Sequence, residues 1–493
     1  MKTLTNTEAA AFLQQHVTGA LSTDNRNIKA GDGFIALRGY AHDGRQFVSA
    51  AFEPGAGACL IEADGADAFA FNDARIACVS NLKANLGAIA HTFYGAPSAA
   101  LKVIASTGTN GKTSTAWWMA QALTMLGARC GLIGTLGVGT PGSTVSTGLT
   151  TPDAVTMHAT LRGFVDADYR ACALEASSIG LVEHRLNGVQ IDVALFTNFT
   201  QDHLDYHGSM DAYWQAKRSL FSWPNLGAAV INIDDAHGAQ LAGEVHNTGL
   251  SVWTVSTSQP AGLTAKNIVF TPNGVTFQVI EGSEVAHVQS ALIGEYNVSN
   301  LLVVLGGLRA LGYALPDAAA VACKLTPVPG RMEPVEPANA SSPSVIVDYA
   351  HTPDALEKVL QALRPIATAR GGRLWCVFGC GGNRDAAKRP RMGAIATRLA
   401  DVTVITSDNP RLEVPATIVA QIVAGAKRES LVIIEDRAAA IAHAIGCAAP
   451  NDAVLLAGKG HEDYQDLAGV KHPFSDFVQA RVGLKLRAEG GAQ

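Results

Sequence analysis

Short apolar runs, each followed at once by a polar or glycine-rich cluster, constrain the fold of this chain more than any other feature. The runs at 171–174, 193–196 and 228–233 lack the polar alternation of a half-exposed strand. Strands of that kind are typical of parallel sheets that are covered on both faces. Glu175 directly follows one such run, and Asp348 follows a later one. Because ligands of open α/β sheets bind at the carboxyl ends of the strands, the pattern predicts sheets whose functional edges face a shared cleft.

The length of 493 residues predicts about three domains at ~150 residues each. We predict a small N-terminal α/β domain at 1–98, a central P-loop domain with a parallel sheet at 99–326, and a C-terminal Rossmann-like domain at 327–493. The segment 324–344 contains five of the 20 prolines, which predicts a linker between the last two domains. A second doubly wound sheet is predicted from five strand-like runs after that segment, at 345–347, 375–378, 402–405, 431–434 and 453–456.

Composition excludes several classes of protein. Hydrophobic residues make up 48% of the chain, which excludes global disorder, and the net charge of −6 gives no electrostatic reason to bind nucleic acid. The longest apolar run, 301–308, stops at Arg309, well short of the ~18 residues of a membrane span. The N-terminal stretch is too polar for a signal peptide. None of the eight cysteines forms a C-x-x-C pair, so we expect reduced thiols in a cytoplasmic protein.

The segment Thr-Gly-Thr-Asn-Gly-Lys-Thr-Ser at 107–114 lies between a predicted strand and a predicted helix. Glycines let backbone N–H groups close around phosphate, and the lysine supplies a positive charge. The first hydroxyl after the lysine is placed to hold Mg²⁺. Ser106 stands where the full Walker pattern has its first glycine, and the alternative is a glycine turn that only caps a helix. We predict a nucleoside triphosphate site formed by Gly108, Thr109, Asn110, Gly111, Lys112, Thr113 and Ser114.

Two further groups could complete a metal–ATP site beside this loop. Glu175 ends a predicted strand, and His203 lies in the segment 198–208. His203 and His207 are four residues apart, so a zinc ion bound by both histidines is an alternative to a metal–ATP site. Mg²⁺ prefers oxygen ligands, so a histidine ligand leaves Mn²⁺ open as the metal ion. The histidines could also be ordinary surface residues that bind no metal. Lys217 lies on a predicted helix beside aromatic residues. Such a lysine is usually solvated, but near a metal and desolvated it could add CO₂ and become an anionic carbamate.

Three clusters near the C-terminus form a candidate acceptor site, at 379–384, 407–411 and 458–463. Two arginines and several carboxylates at the ends of one sheet could bind a substrate that carries both an ammonium and a carboxylate group. The clusters 294–300, 329–333 and 348–353 also suit nucleotide contacts, although a helix cap or a turn explains each of them equally well.

In order along nearly the whole chain, the motifs GTNGKTS, EASS, NFTQDHLDYHG, GEYNVSN, PGRME and DYAHTPDAL resemble those of the Mur ligases of peptidoglycan synthesis. Within that family, GCGGNRD, SDNPR and GKGHEDYQ are similar to the motifs of members that add the third residue of the stem peptide. The tetrad at 408–411 matches the version that selects meso-diaminopimelate.

The resemblance implies an ATP-dependent ligase of cell-wall biosynthesis. It would join meso-2,6-diaminopimelate to the D-Glu γ-carboxylate of UDP-MurNAc-L-Ala-D-Glu through an acyl phosphate. Mg²⁺ would be the cofactor, with Mn²⁺ as the alternative, and ATP a co-substrate. The enzyme would be a cytoplasmic monomer with no nucleic-acid partner and no membrane span.

The resemblance also assigns roles to individual residues. Catalysis falls to Lys112, Glu175, His203 and carbamylated Lys217. The metal ion is held by Thr113, Glu175, His203 and carbamylated Lys217. Beyond the 108–114 loop, ATP is bound by Asn297, Arg331 and Asp348. The UDP-linked substrate is bound at its uridine end by Thr23, Asn25, Tyr40, Ala41 and His42, and nearer the muramoyl peptide by Thr150, Thr151, Ser177 and Arg185. Glu183 also belongs to this set. Diaminopimelate is bound by Arg384, Asp408, Asn409, Pro410, Arg411, Gly458 and Glu462.

Departures from the family pattern leave alternatives open. Ile179 stands where many relatives have His, and Glu183 replaces a common Gln. Asn25 and Asn383 replace the more usual Ser and Asp. A folylpolyglutamate-type ligase or another Mur ligase would share the ATP core. A P-loop ATPase or GTPase switch, or a nucleotide-binding module without activity, are the alternatives from other classes.

Overall fold

The computed structural model describes residues 2–39, 42–246, 248–271, 274–427, 429 and 431–490. Within these residues the strands form three larger sheets, of four, eleven and six strands, and one two-stranded hairpin. Each larger sheet belongs to one part of the chain and is covered by helices from the same part. The architecture is three α/β domains with parallel sheets at their centres, which confirms the predicted fold class.

The N-terminal sheet is parallel, with its strands in sequence order. Its first helix begins at a capping box, in which Thr5 and Glu8 satisfy each other's backbone N–H groups. The strands are β1 Leu21–Ser22, β2 Gly33–Ala36, β3 Ala58–Glu62 and β4 Ile76–Val79. The helices are α1 Asn6–His16, α2 Val48–Phe52 and α3 Leu82–Phe93, with short 3₁₀ turns at Asn25–Asn27, Gly44–Phe47, Ala66–Phe69 and Pro97–Ala100.

The central domain is built on the eleven-stranded sheet. Its strands are β5 Lys102–Thr107, β6 Cys130–Gly134, β7 Gly137–Thr140, β8 Ser143–Val145, β9 Ala171–Glu175, β10 Val193–Phe196, β11 Ala228–Asn232, β12 Ser251–Ser256, β13 Leu263–Thr271, β14 Gly274–Glu281 and β15 Glu284–Ser290. Its helices are α4 Lys112–Met125, α5 Ala154–Asp166, α6 Ser178–Val182, α7 Leu204–His207, α8 Met210–Arg218, α9 Ala236–Val245, α10 Glu295–Ala310 and α11 Leu315–Ala322, with a 3₁₀ turn at Ser219–Ser222. The spatial order is β15-β14-β13-β12-β11-β10-β5-β9-β6-β7-β8.

The absence of polar alternation in the central strands follows from burial on both faces. On β5, Ile104 packs into one apolar cluster together with α4 and α10, and its neighbours Val103 and Ala105 pack into a second cluster together with α5 and α9. Apart from Lys102 at its start, each side chain along the strand is therefore buried, whichever face it occupies. The strands β12, β11, β10, β5, β9 and β6 are parallel, so their carboxyl ends meet at one edge.

The antiparallel ends of the central sheet were not predicted from the sequence. On one side β13, β14 and β15 form a meander, and on the other β7 and β8 form a hairpin on β6. The alternating burial along β15 reflects a face that is open to solvent.

The C-terminal sheet has the order β16-β17-β21-β18-β19-β20. Its strands and those of the adjoining hairpin are β16 Glu333–Val335, β17 Ser344–Asp348, β18 Leu374–Phe378, β19 Val402–Ile405, β20 Leu431–Ile433, β21 Ala453–Ala457, β22 Tyr464–Leu467 and β23 Val470–Pro473. The helices are α12 Pro353–Ala369, α13 Lys388–Leu399, α14 Pro415–Val423, α15 Arg437–Cys447 and α16 Asp476–Gly490. All five strand-like runs predicted here lie on β17 to β21.

The proline-rich segment is only partly a linker. Residues 333–335 form β16, which pairs antiparallel with β17 at the edge of the C-terminal sheet. Proline is tolerated on an edge strand because its missing N–H falls on the unpaired side, so Pro334 does not prevent pairing.

The N-terminal domain and the central domain meet at a close seam between α3 and the loop after α6. A Cβ atom at Gly87 would overlap the carbonyl oxygen of Asn187, and one at Gly188 would overlap that of Gly87. The Asn187 side chain donates to the Ala84 carbonyl oxygen over 2.8 Å. Glycine is required on both sides because the two backbones touch.

In the part of the chain that the structure describes, no helix has the length and apolar character needed to cross a bilayer.

Candidate active site

The loop between β5 and α4 is shaped for close backbone approach. Gly108 has φ of 145° and Gly111 has φ of 88°, values that favour glycine. A Cβ at Gly108 would overlap the Thr197 hydroxyl, and the loop is fixed further by a 3.0 Å hydrogen bond from the Asn110 N–H to the Asn198 side chain. The first turn of α4 therefore presents its free N–H groups toward the loop, as an anion site requires.

Two lysines share this loop, Lys217, which is buried, and Lys112, which is partly buried. Lys112 Nζ donates to the carbonyl oxygens of Gly108 (2.9 Å) and Thr109 (2.8 Å), and Lys217 Nζ donates to that of Gly108 (2.6 Å). Burial lowers the pKa of Lys112, and it lowers the pKa of Lys217 further, with the Lys112 charge adding to the effect. Lys217 is 1% exposed and its ammonium lies 4.4 Å from the centre of the Tyr213 ring. The alternative of a solvated helical lysine therefore does not apply to Lys217.

Glu175 is held at the end of β9 by donors from two neighbouring segments. Thr113 Oγ1 donates to its Oε2 over 3.1 Å, the Thr135 N–H to its Oε1 over 2.7 Å, and the Thr135 hydroxyl to its Oε2 over 3.2 Å. A Cβ at Gly134 would overlap the carboxylate. The hydroxyl and the carboxylate predicted for a metal ion therefore touch each other.

His203 lies beside the same loop, in a left-handed backbone conformation with φ of 52°. Its Nε2 is 3.5 Å from Asp202 Oδ2, and burial lowers the pKa of the imidazole despite that carboxylate. His207 instead has its Nε2 3.0 Å from Ser178 Oγ. The two histidines have different partners, which disfavours the zinc alternative.

The donor set fits a hard cation whose remaining ligands come from phosphate. Among the residues that the structure describes, no group of three or more His, Cys, Asp or Glu side chains could hold a metal ion alone. The converging protein donors are the Thr113 hydroxyl and the Glu175 carboxylate. Mg²⁺ is typically bound by one or two carboxylates together with substrate phosphates, whereas a structural zinc site needs four N or S ligands.

Residues of α10 and of the start of the C-terminal domain line the same cavity as the loop between β5 and α4. Asn297 Nδ2 donates to the Ile293 carbonyl oxygen over 2.7 Å. Arg331 stacks on the Tyr349 ring at 4.3 Å and reaches the Thr113 hydroxyl at 3.5 Å. Asp348 accepts from the N–H groups of Met332 and Ala350, and burial raises its pKa to about 6.

Four of the residues predicted for the muramoyl peptide lie together behind Glu175. The Thr151 hydroxyl donates to the Glu175 carbonyl oxygen (2.7 Å) and lies 2.9 Å from Ser177 Oγ. Arg185 Nη1 donates to the Thr151 carbonyl oxygen over 2.9 Å, and Thr150 Oγ1 is 3.0 Å from Thr135 Oγ1.

Glu183 has a different environment from these four residues. Its carboxylate forms an ion pair with Lys83 of α3 and accepts a 2.5 Å hydrogen bond from the Tyr206 hydroxyl on α7. It thereby connects the N-terminal domain to the segment that carries His203.

The residues predicted for the uridine end are not part of this cluster. Thr23 and Asn25 are partly buried near the end of β1, and His42 is exposed. Within the described residues, none of these three lines either cavity beside the nucleotide loop. Tyr40 and Ala41, predicted with them, lie outside the described residues.

The candidate acceptor site is a buried charge network at the edge of the C-terminal sheet. Lys459 Nζ, fully buried, donates to Asn409 Oδ1 (3.0 Å) and Glu462 Oε2 (3.1 Å), and Asn409 Nδ2 donates to the same Glu462 oxygen (2.7 Å). Burial opposes ionisation of Asp408, but the nearby Arg437 and Lys459 outweigh it and lower the pKa of that carboxyl. Burial raises the pKa of Glu462.

The remaining predicted acceptor residues surround this network. Arg411 has φ of 51° and its Nη1 donates to the Gly382 carbonyl oxygen over 2.7 Å. Arg384 is exposed and contacts the Asn383 carbonyl oxygen at 3.3 Å. Gly458 has φ of 116°, and a Cβ there would lie 2.5 Å from the Asp408 carboxylate. Pro410 occupies the turn between Asn409 and Arg411 but does not line the cavity among the residues described.

Two adjoining cavities connect these groups. The first is lined by twelve predicted residues of the nucleotide and metal site, namely Thr109, Asn110, Gly111, Lys112, Thr113, Ser114, Glu175, His203, Lys217, Asn297, Arg331 and Asp348. The second is lined by six of the seven residues predicted for the acceptor, namely Arg384, Asp408, Asn409, Arg411, Gly458 and Glu462. The two cavities share Asp202, His203, Tyr349 and His351 as a common wall.

Three family profiles match consecutive parts of the chain. They are described as the Mur ligase family catalytic domain (residues 18–94), the Mur ligase middle domain (107–308) and the Mur ligase glutamate ligase domain (330–460). A relative from Acidovorax sp. strain JS42 is 55% identical over 488 residues, covering 97% of each chain. The chain belongs to the Mur ligase family.

Relatives and solved structures place this Mur ligase within the family. The Acidovorax protein and one from Pseudomonas aeruginosa PAO1, which is 47% identical over 94% of each chain, are UDP-N-acetylmuramoyl-L-alanyl-D-glutamate–2,6-diaminopimelate ligases. A solved structure of a protein with that name is 34% identical over 95% of each chain, with a TM-score of 0.68. A MurF ligase from Thermotoga maritima in complex with ADP has a TM-score of 0.67 at 18% identity, covering 97% of this chain and 99% of that one, which shows a shared fold.

Sequence reasoning missed several residues that organise the sites of this Mur ligase. Arg437, fully buried, donates to Asp476 and to the carbonyl oxygens of Ser407 and Ala457, so it ties together the ends of two strands. No local motif marks it. Lys459 lies inside the quoted GKGHE motif and could have been selected from it, because a lysine between two glycines at a strand end has little other reason to be there.

Proposed function

We infer that this Mur ligase joins meso-2,6-diaminopimelate to UDP-MurNAc-L-Ala-D-Glu in peptidoglycan precursor synthesis, with ATP as the co-substrate. Full-length relatives that are 44–55% identical carry this activity in their names. The chain is therefore an enzyme that forms a C–N bond. We propose that ATP phosphorylates the D-Glu γ-carboxylate, that the free amine of diaminopimelate attacks the acyl phosphate, and that phosphate leaves.

The observation that carries this proposal is the common wall between the two cavities. A phosphorylated carboxylate must form beside the nucleotide and then meet the amine without release into water. Asp202 and His203 line both cavities, so a group at that wall is accessible from the Lys112 loop and from the Arg411 loop. Holding two reactants in this way replaces an encounter in solution by a step within one complex.

Within the first cavity, we propose that the 108–114 loop and Lys112 bind the phosphates and that Asn297, Arg331 and Asp348 bind the rest of ATP. Thr113 and Glu175 would hold Mg²⁺, or Mn²⁺ in its place, together with His203. The cation would neutralise charge on the transferred phosphoryl group. Lys112 supplies a fixed positive charge where negative charge develops in the transition state.

We propose that Lys217 acts as a carbamate. Its pKa is lowered by burial, so a neutral amine able to add CO₂ is accessible. In the carbamate an anionic oxygen donor replaces the ammonium, which suits a residue placed among Mg²⁺ ligands. The Gly108 carbonyl oxygen that now accepts from Lys217 would accept equally from a carbamate N–H.

In the second cavity, we propose that Asp408, Asn409, Glu462 and the backbone at Gly458 receive the ammonium-bearing end of diaminopimelate, while Arg384 and Arg411 receive its carboxylates. Planar guanidinium groups match carboxylates in a two-pronged geometry. Selection of diaminopimelate over lysine would fall to Arg411, because the two amino acids differ by one carboxylate.

We assign the UDP-linked end of the substrate to residues 1–98, through Thr23, Asn25 and the 40–42 segment, and the muramoyl peptide to Thr150, Thr151, Ser177 and Arg185. Residues 99–326 and 327–493 would bind ATP and the amino acid respectively. We propose that the enzyme is a monomer. Its use of ATP and of a UDP-linked precursor supports a cytoplasmic location.

The deciding experiment supplies the protein with ATP, UDP-MurNAc-L-Ala-D-Glu and either meso-diaminopimelate or L-lysine. We expect tripeptide and phosphate to form with diaminopimelate and far less product with lysine. Preferential use of lysine would contradict the assigned acceptor. Phosphate release that does not depend on any amino acid would instead favour a nucleotide switch.

A further inference from the structure

Arg389 is a buried arginine that the assignments above do not use. It lies in the first turn of α13, and its side chain is 1% exposed. Burying a guanidinium group costs free energy unless carboxylates and carbonyl oxygens replace the water that it loses. The partners of Arg389 therefore indicate what the fold holds in place at this position.

Arg389 holds a carboxylate and a backbone carbonyl at the same time. Its Nη1 and Nη2 donate to Oε2 and Oε1 of Glu413 over 2.8 and 2.9 Å. Nη2 also donates to the Gly381 carbonyl oxygen over 3.0 Å, and Nη1 donates to Gln421 on α14 over 2.6 Å. A two-pronged pair of this kind fixes direction as well as distance. The hydrogen bonds from Arg389 lower the pKa of Glu413 to about 2, so the carboxylate stays ionised.

Gly381 and Glu413 belong to the two loops that carry the proposed substrate arginines. Gly381 lies three residues before Arg384, and Glu413 lies two residues after Arg411. Glu413 also accepts a hydrogen bond from the Asn383 N–H of the other loop. Arg389 and Glu413 therefore link the two loops to each other and to α13, and we call these two residues the loop clamp.

Both loops contain a residue in a strained backbone conformation. Asn383 and Arg411 each have φ of 51°, in the left-handed region, which is disfavoured for residues other than glycine. Such conformations persist only where the surrounding contacts hold them. The Asn383 side chain accepts from the Leu412 N–H over 3.0 Å, and the Glu413 carboxylate accepts from the Asn383 N–H. Without the loop clamp we expect both strained residues to relax, which would change the distance between Arg384 and Arg411.

We propose that the loop clamp fixes the spacing of Arg384 and Arg411 so that both carboxylates of diaminopimelate are bound at once. Arg389 and Glu413 are positioning residues, because neither of them lines the second cavity among the described residues and they act through the two substrate arginines. Lysine has one carboxylate and does not depend on this spacing. The loop clamp therefore contributes to the preference for diaminopimelate, and this inference rests on the acceptor site proposed above.

The test is Glu413→Gln, which keeps the shape of the side chain but removes its charge and one of the two oxygens that Arg389 holds. We expect the KM for diaminopimelate to rise about 3- to 10-fold, because a charge-assisted contact to the substrate is weakened. The kcat and the KM for ATP should not change. The ratio of kcat/KM for diaminopimelate to kcat/KM for L-lysine should fall by the same factor.

A second variant, Arg389→Lys, tests the other half of the loop clamp. A lysine cannot contact Glu413 and Gly381 in the same two-pronged way, so the KM for diaminopimelate should rise further. The double variant should be no worse than Arg389→Lys alone, because both substitutions break the same contact. Glu413 is partly exposed, so Glu413→Gln decides the question even if Arg389→Lys does not fold.

Asp401→Asn is the matched control. Asp401 accepts a 2.6 Å hydrogen bond from Arg364 in an ion pair of the same domain, and neither residue lines the second cavity among the described residues. This variant should lower the melting temperature and leave the KM for diaminopimelate unchanged. The same pattern in Glu413→Gln would overturn the proposal, as would an equal rise in the KM for ATP. Failure of the unmodified enzyme to use diaminopimelate would instead refute the proposed function.

Discussion

The two cavities differ in how their buried charges are balanced. Behind the acceptor cavity, buried Arg437 is paired with Asp476, and buried Lys459 is paired with Glu462, which lines that cavity. In the nucleotide cavity, Lys112 and Lys217 hydrogen-bond only to backbone carbonyl oxygens, and no ion pair among the described residues includes either of them. An amine that has only backbone partners, such as that of Lys112, can pair with the phosphates of a polyanion such as triphosphate. A cavity with balanced charges favours a ligand that carries both signs.

The largest expected effect comes from removing the Lys217 side chain from the nucleotide cavity. Lys217→Ala should lower kcat about 10²- to 10³-fold, the usual loss when a preorganised group at a developing charge is removed. Formate or acetate should partly restore turnover by replacing the proposed carbamate. Arg218→Ala is the control, since Arg218 is the next residue and pairs with Glu244 at the surface. Steady-state kinetics that showed Lys217→Ala near full turnover would remove Lys217 from catalysis.

A substitution in the acceptor cavity should mainly weaken binding of diaminopimelate. Arg411→Ala should raise the KM for diaminopimelate about 10- to 100-fold, because a hydrogen bond to a charged group contributes about 1.5–3 kcal/mol. The KM for ATP should stay constant. Arg398→Ala, which removes an ion pair with Glu357 at the surface of the same domain, serves as the control. An unaltered KM for diaminopimelate would exclude Arg411 from the acceptor site.

A smaller effect on nucleotide affinity is expected from a change in pH. The pKa of Asp348 is raised by burial from 3.8 to about 6, so the carboxyl becomes neutral as the pH falls below about 6. Nucleotide affinity that depends on this carboxylate should therefore weaken between pH 7 and 5. The folded state holds this proton up to a higher pH than the unfolded chain does, so the group's contribution to stability is lost as the pH rises through about 6. Calorimetric ADP titrations of Asp348→Asn should lack this pH-dependent step, and an identical step in the variant would assign it to another group.

The smallest effect is expected at the contact that joins the N-terminal domain to the His203 segment. Glu183→Gln removes the ion pair with Lys83 but keeps an acceptor for Tyr206. The free energy of unfolding should fall by at most about 1 kcal/mol, because Lys83 is partly exposed to solvent. Urea denaturation of Glu183→Gln, Lys83→Met and the double variant measures the coupling. If the losses in the free energy of unfolding of the two single variants add up to that of the double variant, the Glu183–Lys83 ion pair contributes nothing to stability.

Much of the fold could be predicted because strands that are buried on both faces of a sheet lack the polar alternation of half-exposed strands. Apart from Asn232, the runs that became β9, β10 and β11 contain only side chains that pack into two apolar clusters. The meander β13–β15 was missed because one face is open to solvent and its sequence mixes polar and apolar residues. The pairing of Glu333–Val335 with β17 depends on a tertiary contact, and proline content alone points the other way.

For the site, loops whose chemistry depends on local geometry could be predicted. The glycines at 108 and 111 permit positive φ, and Lys112 directly follows them. The burial of Lys217 could not be predicted, since it is set by the loop that approaches α8 from β5. Arg437 and Glu183 owe their roles to partners 20 or more residues away, which no local pattern encodes.

The seam between Gly87 and Asn187 has a mechanical consequence. Because the two backbones touch without space for even a methyl group, the first two domains cannot slide past each other at this contact without atomic overlap. We expect any rearrangement between domains to occur instead after Thr326, whose carbonyl oxygen accepts a hydrogen bond from the Trp118 side chain. Under the assignments proposed above, the two ends of the donor substrate would then bind at a fixed spacing, and the third domain would bring the amino acid to them.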